Sequence, residues 1–165
     1  MLKLSEPIYS ALRKHGEETY PHECCGVLLG RSIQNETGDE GNVVEDAVRA
    51  GNTRTDSAHN RYHIAPQELV KIQRQGRERG LDIVGFYHSH PDHPAQWSKT
   101  DFAEAHWLGC SYIITSVEQG KAALTNSFLL SGTTEEDKTF EDEPIQIDIA
   151  PNVAEAATQT QKGQA

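Results

Sequence analysis

Two histidines stand two residues apart at the end of the most strand-like run in the chain. The run LDIVGFY is followed by His88, Ser89 and His90, and Asp101 comes shortly after them. Side chains at positions i and i+2 of a strand point to the same face, so the two imidazoles can converge on one ion without distorting the backbone. A catalytic zinc site uses three protein ligands and leaves its fourth position to water. His88, His90 and Asp101 supply such a set from the end of a strand and the start of a helix.

Each of these residues also has a purely structural interpretation. The chain contains eight histidines, so a His-x-His pair taken alone is more simply a surface or core feature. Ser98 and Asp101 fit a capping box, in which Ser98 is the N-cap of a helix and Asp101 is its third residue. Capping and catalysis are compatible for Ser98, but capping and metal binding compete for the Asp101 carboxylate.

A hydrolytic metal site also needs a base that is not itself a ligand. Glu23 is the candidate, because it comes just before the apolar run GVLLG, which is typical of a buried strand. From there its carboxylate can project over the same end of the sheet as the histidines. Taken together, these residues strengthen the case for a catalytic metal site, while the capped helix with ordinary histidines stays open at this point.

The spaced elements resemble the JAMM metalloproteases of the MPN domain class. That family has a glutamate before a Gly-x-Leu-x-Gly strand, then His-x-His-Pro, then Ser-x-x-Asp. This chain has Glu23, then GVLLG, then HSHP at 88–91, then SKTD at 98–101. The segments YPHECCGVLLG, RYHIAPQEL and IVGFYHSHPDHPAQWS also resemble the small single-domain bacterial members, and the likeness covers roughly residues 2–149. Many members carry a proline directly before the serine, where this chain has Trp97. The residue at this position affects the stiffness of the loop that leads to Ser98.

The resemblance implies a fold, a cofactor and a reaction. The fold is α/β, a mixed β-sheet with flanking helices similar to that of the cytidine deaminases. One zinc ion per chain is held by His88, His90 and Asp101, while Glu23 is the general base and the Ser98 hydroxyl stabilises the oxyanion. The reaction is hydrolysis of the amide bond after the C-terminal Gly-Gly of a ubiquitin-like or sulfur-carrier protein. Small bacterial members resemble peptidases that release cysteine or trailing residues from such carriers.

Two other functions stay open at this point. One is a metal-free MPN module that acts as a scaffold, although the intact ligand set argues against it. The other is a general zinc metallopeptidase, such as a phage-tail-associated relative. Those relatives usually carry extra domains or basic patches, and this sequence has neither.

Other reactive side chains lie near the motif. His93 is in the same loop, and we expect it to face solvent or substrate, since a fourth ligand would close the site. A second metal site at His59 and His63 is disfavoured, because their spacing falls on a loop. A catalytic thiol at Cys24 or Cys25 would need a lowered pKa and a partner base. The sequence contains no sign of either, so a buried structural role is favoured.

Charge and hydropathy exclude several classes of partner. The net charge is −10, and the basic run at 71–79 has the spacing of a solvated helix face, so we expect no nucleic-acid partner. The same negative charge would suit a protein partner with a basic face. No segment approaches the roughly 18 apolar residues of a membrane-spanning helix. The N-terminus lacks the apolar core of a signal peptide, so we expect a cytoplasmic protein without a membrane partner. Three cysteines suit a reducing compartment, and a homodimer is one of the states the sequence allows.

The apolar periodicity divides the chain into elements of a mixed sheet with about three helices. We expect one domain over residues 1–150, a disordered tail over the small, polar residues 151–165, and a solvated acidic loop at 135–143. The predicted helices are 4–20, 66–79 and 98–108. The predicted strands are 26–31, 42–50, 62–64, 81–87, 112–117, 122–130 and 145–149.

Overall fold

The computed structural model describes residues 1–34, 40–53 and 62–149. The expected tail at 151–165 therefore lies outside the described residues, as does His59. Within the described part the elements are β1 Leu2–Ser5, α1 Glu6–Thr19, β2 Cys25–Gln34, β3 Glu40–Ala50, α2 Pro66–Glu78, β4 Asp82–Pro91, α3 Lys99–Glu104, β5 Ser111–Glu118, β6 Lys121–Ser131, β7 Thr139–Glu143 and β8 Ile145–Asp148. None of these helices is long and apolar enough to cross a membrane.

All eight strands belong to one mixed sheet with the order β7-β6-β5-β4-β2-β3-β1-β8. Strand β4 is parallel to β5, β1 is parallel to β3 and β8, and the other pairs are antiparallel. Strands β7 and β8 lie at opposite edges of this order, yet only Pro144 separates them along the chain. The sheet therefore curls until its edges approach each other. The predicted mixed sheet with flanking helices is confirmed.

The curled sheet buries an apolar cluster on each face. Helix α1 packs inside the curl, where Leu12 meets Leu28, Val84 and other side chains of the sheet. Helix α2 covers the opposite face, where Ile72 meets Leu29 and its neighbours. Strand β2 is thus buried on both faces, which is why its sequence is a continuous apolar run rather than an alternating one.

The two glycines of the GVLLG run are required by close packing. A Cβ atom at Gly26 would overlap the ring of Tyr87 on the neighbouring strand β4. A Cβ atom at Gly30 would overlap the carbonyl group of Val43, beside the point where the register between β2 and β3 shifts. The spacing of these glycines therefore lets β2 lie tightly between β3 and β4.

Two element boundaries at the N-terminal side differ from the sequence prediction. The helix expected from residue 4 begins at Glu6, because the hydroxyl of Ser5 accepts a hydrogen bond from the backbone N–H of Ile8 at 3.4 Å. Residues 2–5 instead form β1, which pairs with β3 and β8. The short strand predicted at 62–64 is wrong, since these residues have no strand pairing.

Two further corrections concern the C-terminal half. The helix expected at 98–108 ends at Glu104, because the chain turns at Ala105, whose carbonyl accepts a hydrogen bond from Lys138 Nζ at 2.9 Å. The acidic run is not only a loop, since its second part forms the edge strand β7 on β6. There the Glu143 carboxylate is buried and accepts a hydrogen bond from the Ser127 hydroxyl at 2.7 Å.

Candidate metal centre

Three predicted ligands meet at the C-terminal end of β4. His88 and His90 lie on the same face of the strand, with their Nε2 atoms 3.1 Å apart. Asp101, in the first turn of α3, places Oδ1 at 3.3 Å from Nε2 of His88 and Oδ2 at 3.2 Å from Nε2 of His90. All three side chains are largely buried. The strand end and the helix start thus form one cage of donor atoms, hereafter the His-Asp cage.

The dimensions of the His-Asp cage fit a zinc ion. A tetrahedral zinc with ligand atoms at about 2.0–2.1 Å separates those atoms from one another by about 3.3 Å. In the cage the two Nε2 atoms are 3.1 Å apart, Oδ1 of Asp101 is 3.3 Å from His88 and Oδ2 of Asp101 is 3.2 Å from His90, so each separation is of that size but the two histidines face different oxygens of the carboxylate. Two imidazole nitrogens and one carboxylate oxygen are also a donor set that catalytic zinc sites use, with a fourth position left for water.

Neighbouring groups orient the two imidazoles. Nδ1 of His90 lies 2.8 Å from the carbonyl oxygen of Pro94. Because a carbonyl only accepts, Nδ1 carries a proton, and Nε2 is the nitrogen that faces the cage. The ring of Tyr62 stacks on the ring of His88 at a centroid distance of 4.5 Å, while Nδ1 of His88 is buried without a hydrogen-bond partner among the described residues. The sequence prediction missed both Tyr62 and the Pro94 carbonyl, since neither contact follows from spacing along the chain.

The capping box and the His-Asp cage coexist. The hydroxyl of Ser98 accepts a hydrogen bond from the backbone N–H of Asp101 at 3.0 Å, and Oδ2 of Asp101 accepts one from the backbone N–H of Ser98 at 2.8 Å. The expected competition for the carboxylate is avoided because Oδ1 faces His88 while Oδ2 serves both His90 and the cap. The Ser98 hydroxyl keeps its own proton available for donation.

The electrostatics of the cage favour an ionised carboxylate. Burial opposes the charge on Asp101, but hydrogen bonds with His88 and His90 outweigh it and hold the pKa of Asp101 far below its usual range. Burial lowers the pKa of His88. Burial is the largest single effect on His90 and lowers its pKa, but the hydrogen bonds with Asp101 and the Pro94 carbonyl and the charges of Asp101 and Glu23 together raise it. An anionic carboxylate beside imidazoles is the charge state that a metal cation needs.

Glu23 lies beside the cage in a different environment. It precedes β2, is 3% exposed, and brings a carboxylate oxygen within 4.8 Å of the ring nitrogens of His88 and His90. Glu23, His88 and His90 therefore also form a group of donor atoms that could hold a metal ion, so the two rings have two candidate carboxylate partners, Asp101 and Glu23. Burial raises the pKa of Glu23 to about 8, an effect that His90 partly offsets and Asp101 reinforces. Its Oε2 atom has no hydrogen-bond partner among the described residues.

Ser89 joins the Glu23 segment to the histidine strand. Its hydroxyl, on the opposite face of β4 from the two histidines, accepts a hydrogen bond from the backbone N–H of Cys24 at 2.9 Å. The backbone N–H of Ser89 donates in turn to the Cys24 carbonyl at 3.3 Å. The sequence prediction gave this serine no role. The available signal was a polar residue facing the buried side of an otherwise apolar strand.

A cavity of about 450 Å³ opens beside the cage. Its lining consists of candidate catalytic residues and the loop after β4, namely Glu23, His90, Pro91, His93, Pro94, Gln96, Trp97 and Ser98. His93 is exposed on the cavity wall, where we expected it, and does not join the His-Asp cage. The cavity gives a substrate access to the cage and to both predicted catalytic side chains.

The remaining reactive groups do not form a second centre within the described part of the chain. Cys24, Cys25 and Cys110 are free and buried, and burial raises the pKa of their thiols to about 11, 12 and 12. These thiols stay protonated near neutral pH, which supports a structural role. His63 contacts Thr53 at 3.0 Å, and the other member of its predicted pair, His59, lies outside the described residues.

Comparisons with known proteins agree with the fold and the motif. The profile of the prokaryotic homologues of the JAB domain matches residues 5–130. A protein of Haloferax volcanii named desampylase is 34% identical over 111 residues, which are 67% of this chain and 74% of that protein.

Two solved structures share the architecture. A protein of Desulfitobacterium hafniense has a TM-score of 0.74 at 26% identity, covering 91% of this chain and 94% of its own. A protein of Salinibacter ruber has a TM-score of 0.65 at 36% identity, covering 88% of this chain and 91% of its own. The chain therefore belongs to the prokaryotic JAB domain family, within the JAMM/MPN class that its motif resembles.

Proposed function

We propose that this protein is a zinc-dependent isopeptidase or peptidase that hydrolyses the amide bond after the C-terminal Gly-Gly of a ubiquitin-like or sulfur-carrier protein. The observation that carries the proposal is the His-Asp cage, with donor atoms 3.1–3.3 Å apart, next to the buried Glu23 carboxylate and an open cavity. Membership of the JAB family and the likeness to a desampylase support a hydrolase of this class.

His88, His90 and Asp101 are the proposed ligands of one zinc ion. Bound there, zinc would lower the pKa of a water molecule from 15.7 to about 7 and polarise the scissile carbonyl group. The orientation of both rings and of the carboxylate is set by the protein before any substrate binds.

Glu23 is the proposed general base and acid. Its carboxylate accepts a proton from the attacking water and then delivers that proton to the leaving amine. The pKa of about 8 that burial gives this carboxyl without a cation is close to neutrality, and a neighbouring cation favours its ionised form. A group poised in this range can serve in both directions.

Ser98 is the proposed donor to the oxyanion. Its hydroxyl is fixed by the cap of α3, where it already accepts from the N–H of Asp101. The hydroxyl proton is therefore free to point at the oxygen that gains charge as water adds to the carbonyl. Loss of one such donor typically costs about 2.7–4 kcal/mol of transition-state stabilisation.

The proposed carrier enters the site through its C-terminal Gly-Gly segment. A glycine pair without side chains suits an extended segment that passes through a cleft of this size. A metal-free scaffold is disfavoured by the close approach of two imidazoles and a carboxylate in the His-Asp cage. A general zinc metallopeptidase remains the second candidate, because the same cage would serve any amide.

Mass spectrometry of carrier proteins tests the proposal. The substrates are ubiquitin and a bacterial sulfur carrier, each extended past Gly-Gly by cysteine, by a short peptide, or through a lysine side chain. We expect zinc-loaded protein to cut at least one of them after the second glycine. Cleavage of unrelated peptides at comparable rates, with all carrier substrates intact, would replace the proposal with the general metallopeptidase.

A further inference from the structure

Trp97 presents a large flat side chain beside the candidate catalytic residues. It is 39% exposed, directly precedes Ser98, and lines the cavity together with Glu23 and His90. Neither the His-Asp cage nor the capping box uses its indole. Tryptophan is enriched among the residues that contribute most of the binding energy at protein surfaces. The indole of Trp97 is therefore a candidate contact for a ligand in the cavity.

One side of the indole is held by other aromatic rings. The ring centroids of Phe102, in α3, and Phe140, in β7, each lie 5.5 Å from that of Trp97. Phe140 in turn packs on Tyr112 and Phe128 in the sheet. The side chain is thus rigid before any ligand arrives, and little conformational entropy is lost when a ligand packs on its open face.

The loop that carries Trp97 is also anchored to the sheet. The carbonyl of Pro94 binds Nδ1 of His90 at 2.8 Å, and the carbonyl of the buried Ala95 accepts a hydrogen bond from Nδ2 of Asn126 at 2.9 Å. These contacts hold the loop in place, although Trp97 stands where many family members have a proline. The loop is fixed by its own hydrogen bonds and by the aromatic packing of Trp97.

The anchored loop gives the cavity an apolar wall formed by Pro91, Pro94 and Trp97, hereafter the Trp97 wall. Glu23 borders the same cavity. Because Glu23 must reach the leaving nitrogen to protonate it, the group attached to that nitrogen lies in the cavity. The Trp97 wall is therefore positioned to contact the leaving group.

We propose that the Trp97 wall binds the aliphatic stem of a lysine whose Nε is acylated by the terminal glycine of the carrier, an inference that rests on the proposed function. Hydrolysis places the oxygen of water on the glycine carbonyl carbon and breaks the C–N bond. The lysine Nε leaves as an amine that takes its proton from Glu23. The indole of Trp97 acts on this reaction as a specificity-determining contact.

The chemistry of the wall distinguishes lysine from a residue linked through its α-amino group. The lysine stem consists of four methylenes, which prolines and an indole can cover without leaving a polar group unpaired. An α-linked residue would press its own backbone carbonyl against the same wall, and a polar group desolvated without a partner is unfavourable. We therefore expect kcat/KM to increase with the length of the methylene stem.

A series of leaving groups with shortened stems tests the inference. Ubiquitin and a bacterial sulfur carrier are joined through the terminal glycine to the side-chain amine of lysine, ornithine or diaminobutyrate in one short peptide. For the zinc-loaded wild type we expect kcat/KM to fall roughly threefold to fourfold for each methylene removed. In Trp97→Ala the dependence should shrink to less than twofold, and Trp97→Phe should keep most of it.

The readout is the ratio of rates within each variant, so a general loss of activity does not imitate the result. Leu124→Ala is the matched control, because Leu124 is a large apolar side chain that is 67% exposed and does not line the cavity. It should keep the wild-type ratio. A wild-type series without stem dependence, or an unchanged ratio in Trp97→Ala, would overturn the inference. Cleavage of carriers extended by cysteine or a peptide, but of none of these side-chain conjugates, would also overturn the inference and leave the proposed function standing, whereas cleavage of neither kind would contradict the proposed function.

Discussion

At the scale of single residues, the site separates two carboxylates by their surroundings. Asp101 is held ionised by hydrogen bonds with His88 and His90. Glu23 also lies beside the two histidines, yet burial raises the pKa of its carboxyl to about 8. Pairs of acids whose environments push their pKa values apart have divided roles in many hydrolases. This difference supports the proposed ligand role of Asp101 and the proposed proton-transfer role of Glu23.

Replacement of Glu23 by glutamine tests the proton-transfer role. We expect Glu23→Gln to keep the fold and the zinc content, because the amide fills the same space and the ligands are untouched. Turnover should fall roughly 10²–10⁴-fold, the usual effect of losing general acid–base catalysis. Wild-type turnover in this variant would move the base role to another group, and the exposed neighbour His22 would be examined first.

The same variant tests the burial of the Glu23 charge in metal-free protein. The pKa of Glu23 rises from 4.5 to about 8 on folding, so the folded state holds a proton that the unfolded state releases between these values. Relative to Glu23→Gln, the wild type should be most stable below pH 4.5 and should lose stability as the pH rises from there through 8, with a limiting slope of about 1.4 kcal/mol per pH unit. Urea denaturation at several pH values measures this difference. A difference that is constant with pH would mean that the carboxyl is not desolvated.

At the scale of elements, the site depends on how closely β2 approaches β4. Gly26 of β2 leaves room for the ring of Tyr87, and the Tyr87 hydroxyl lies 2.8 Å from Nδ1 of the buried His15 in α1. On the other face of β4 the neighbouring residue is His88. The side chain of Tyr87 thus connects three elements: helix α1 through His15, strand β2 through Gly26, and its own strand β4, which carries His88 and His90.

Replacement of Gly26 by alanine should therefore destabilise the fold. The added methyl group would overlap the ring of Tyr87, and overpacking of this kind typically costs about 1–3 kcal/mol. Chemical denaturation measures the change in the free energy of unfolding. Gly51→Ala is the matched control, because its Cβ would meet only an oxygen of Glu68 at an ordinary 3.7 Å. Equal stability of the two variants would contradict the packing argument.

The sequence predicted those elements whose cause is local. His88 and His90 share a face because the strand repeats every two residues, and Ser98 and Asp101 form their capping box within one turn. Strand β1 was missed because residues 2–5 are strand only through pairing with β3 and β8, which are distant in sequence. Strand β7 was missed for the same reason, since tertiary contacts of Glu143 and Phe140 override an acidic composition.

The contacts around the metal centre were predictable only in part. The proposed ligands, the candidate base and the proposed oxyanion donor were named from the motif. Tyr62 on His88, the Pro94 carbonyl on His90 and Ser89 on Cys24 were not. Each of these joins segments that meet only in the folded sheet, so periodicity along the chain carries no sign of them.

At the scale of the whole molecule, the curled sheet concentrates the chemistry at one end of β4. Strand β4 lies between antiparallel β2 and parallel β5, so its C-terminal end is beside the start of β2 and the loop that leads to α3. Glu23 reaches this point from β2, the histidines from β4, and Ser98 and Asp101 from α3. Helix α1 supports the arrangement from within the curl, α2 covers the opposite face, and the cavity opens beside the loop after β4.

The central claim is that one zinc ion in the His-Asp cage is required for cleavage after Gly-Gly. Its most direct test is a titration of metal-free protein with zinc while mass spectrometry follows release of ubiquitin or a sulfur carrier from a lysine side chain. We expect turnover to rise in proportion to added zinc and to level off at one equivalent, and we expect His88→Ala to stay inactive at that ratio. Full turnover without metal, or a His88→Ala titration that matches the wild type, would contradict the account.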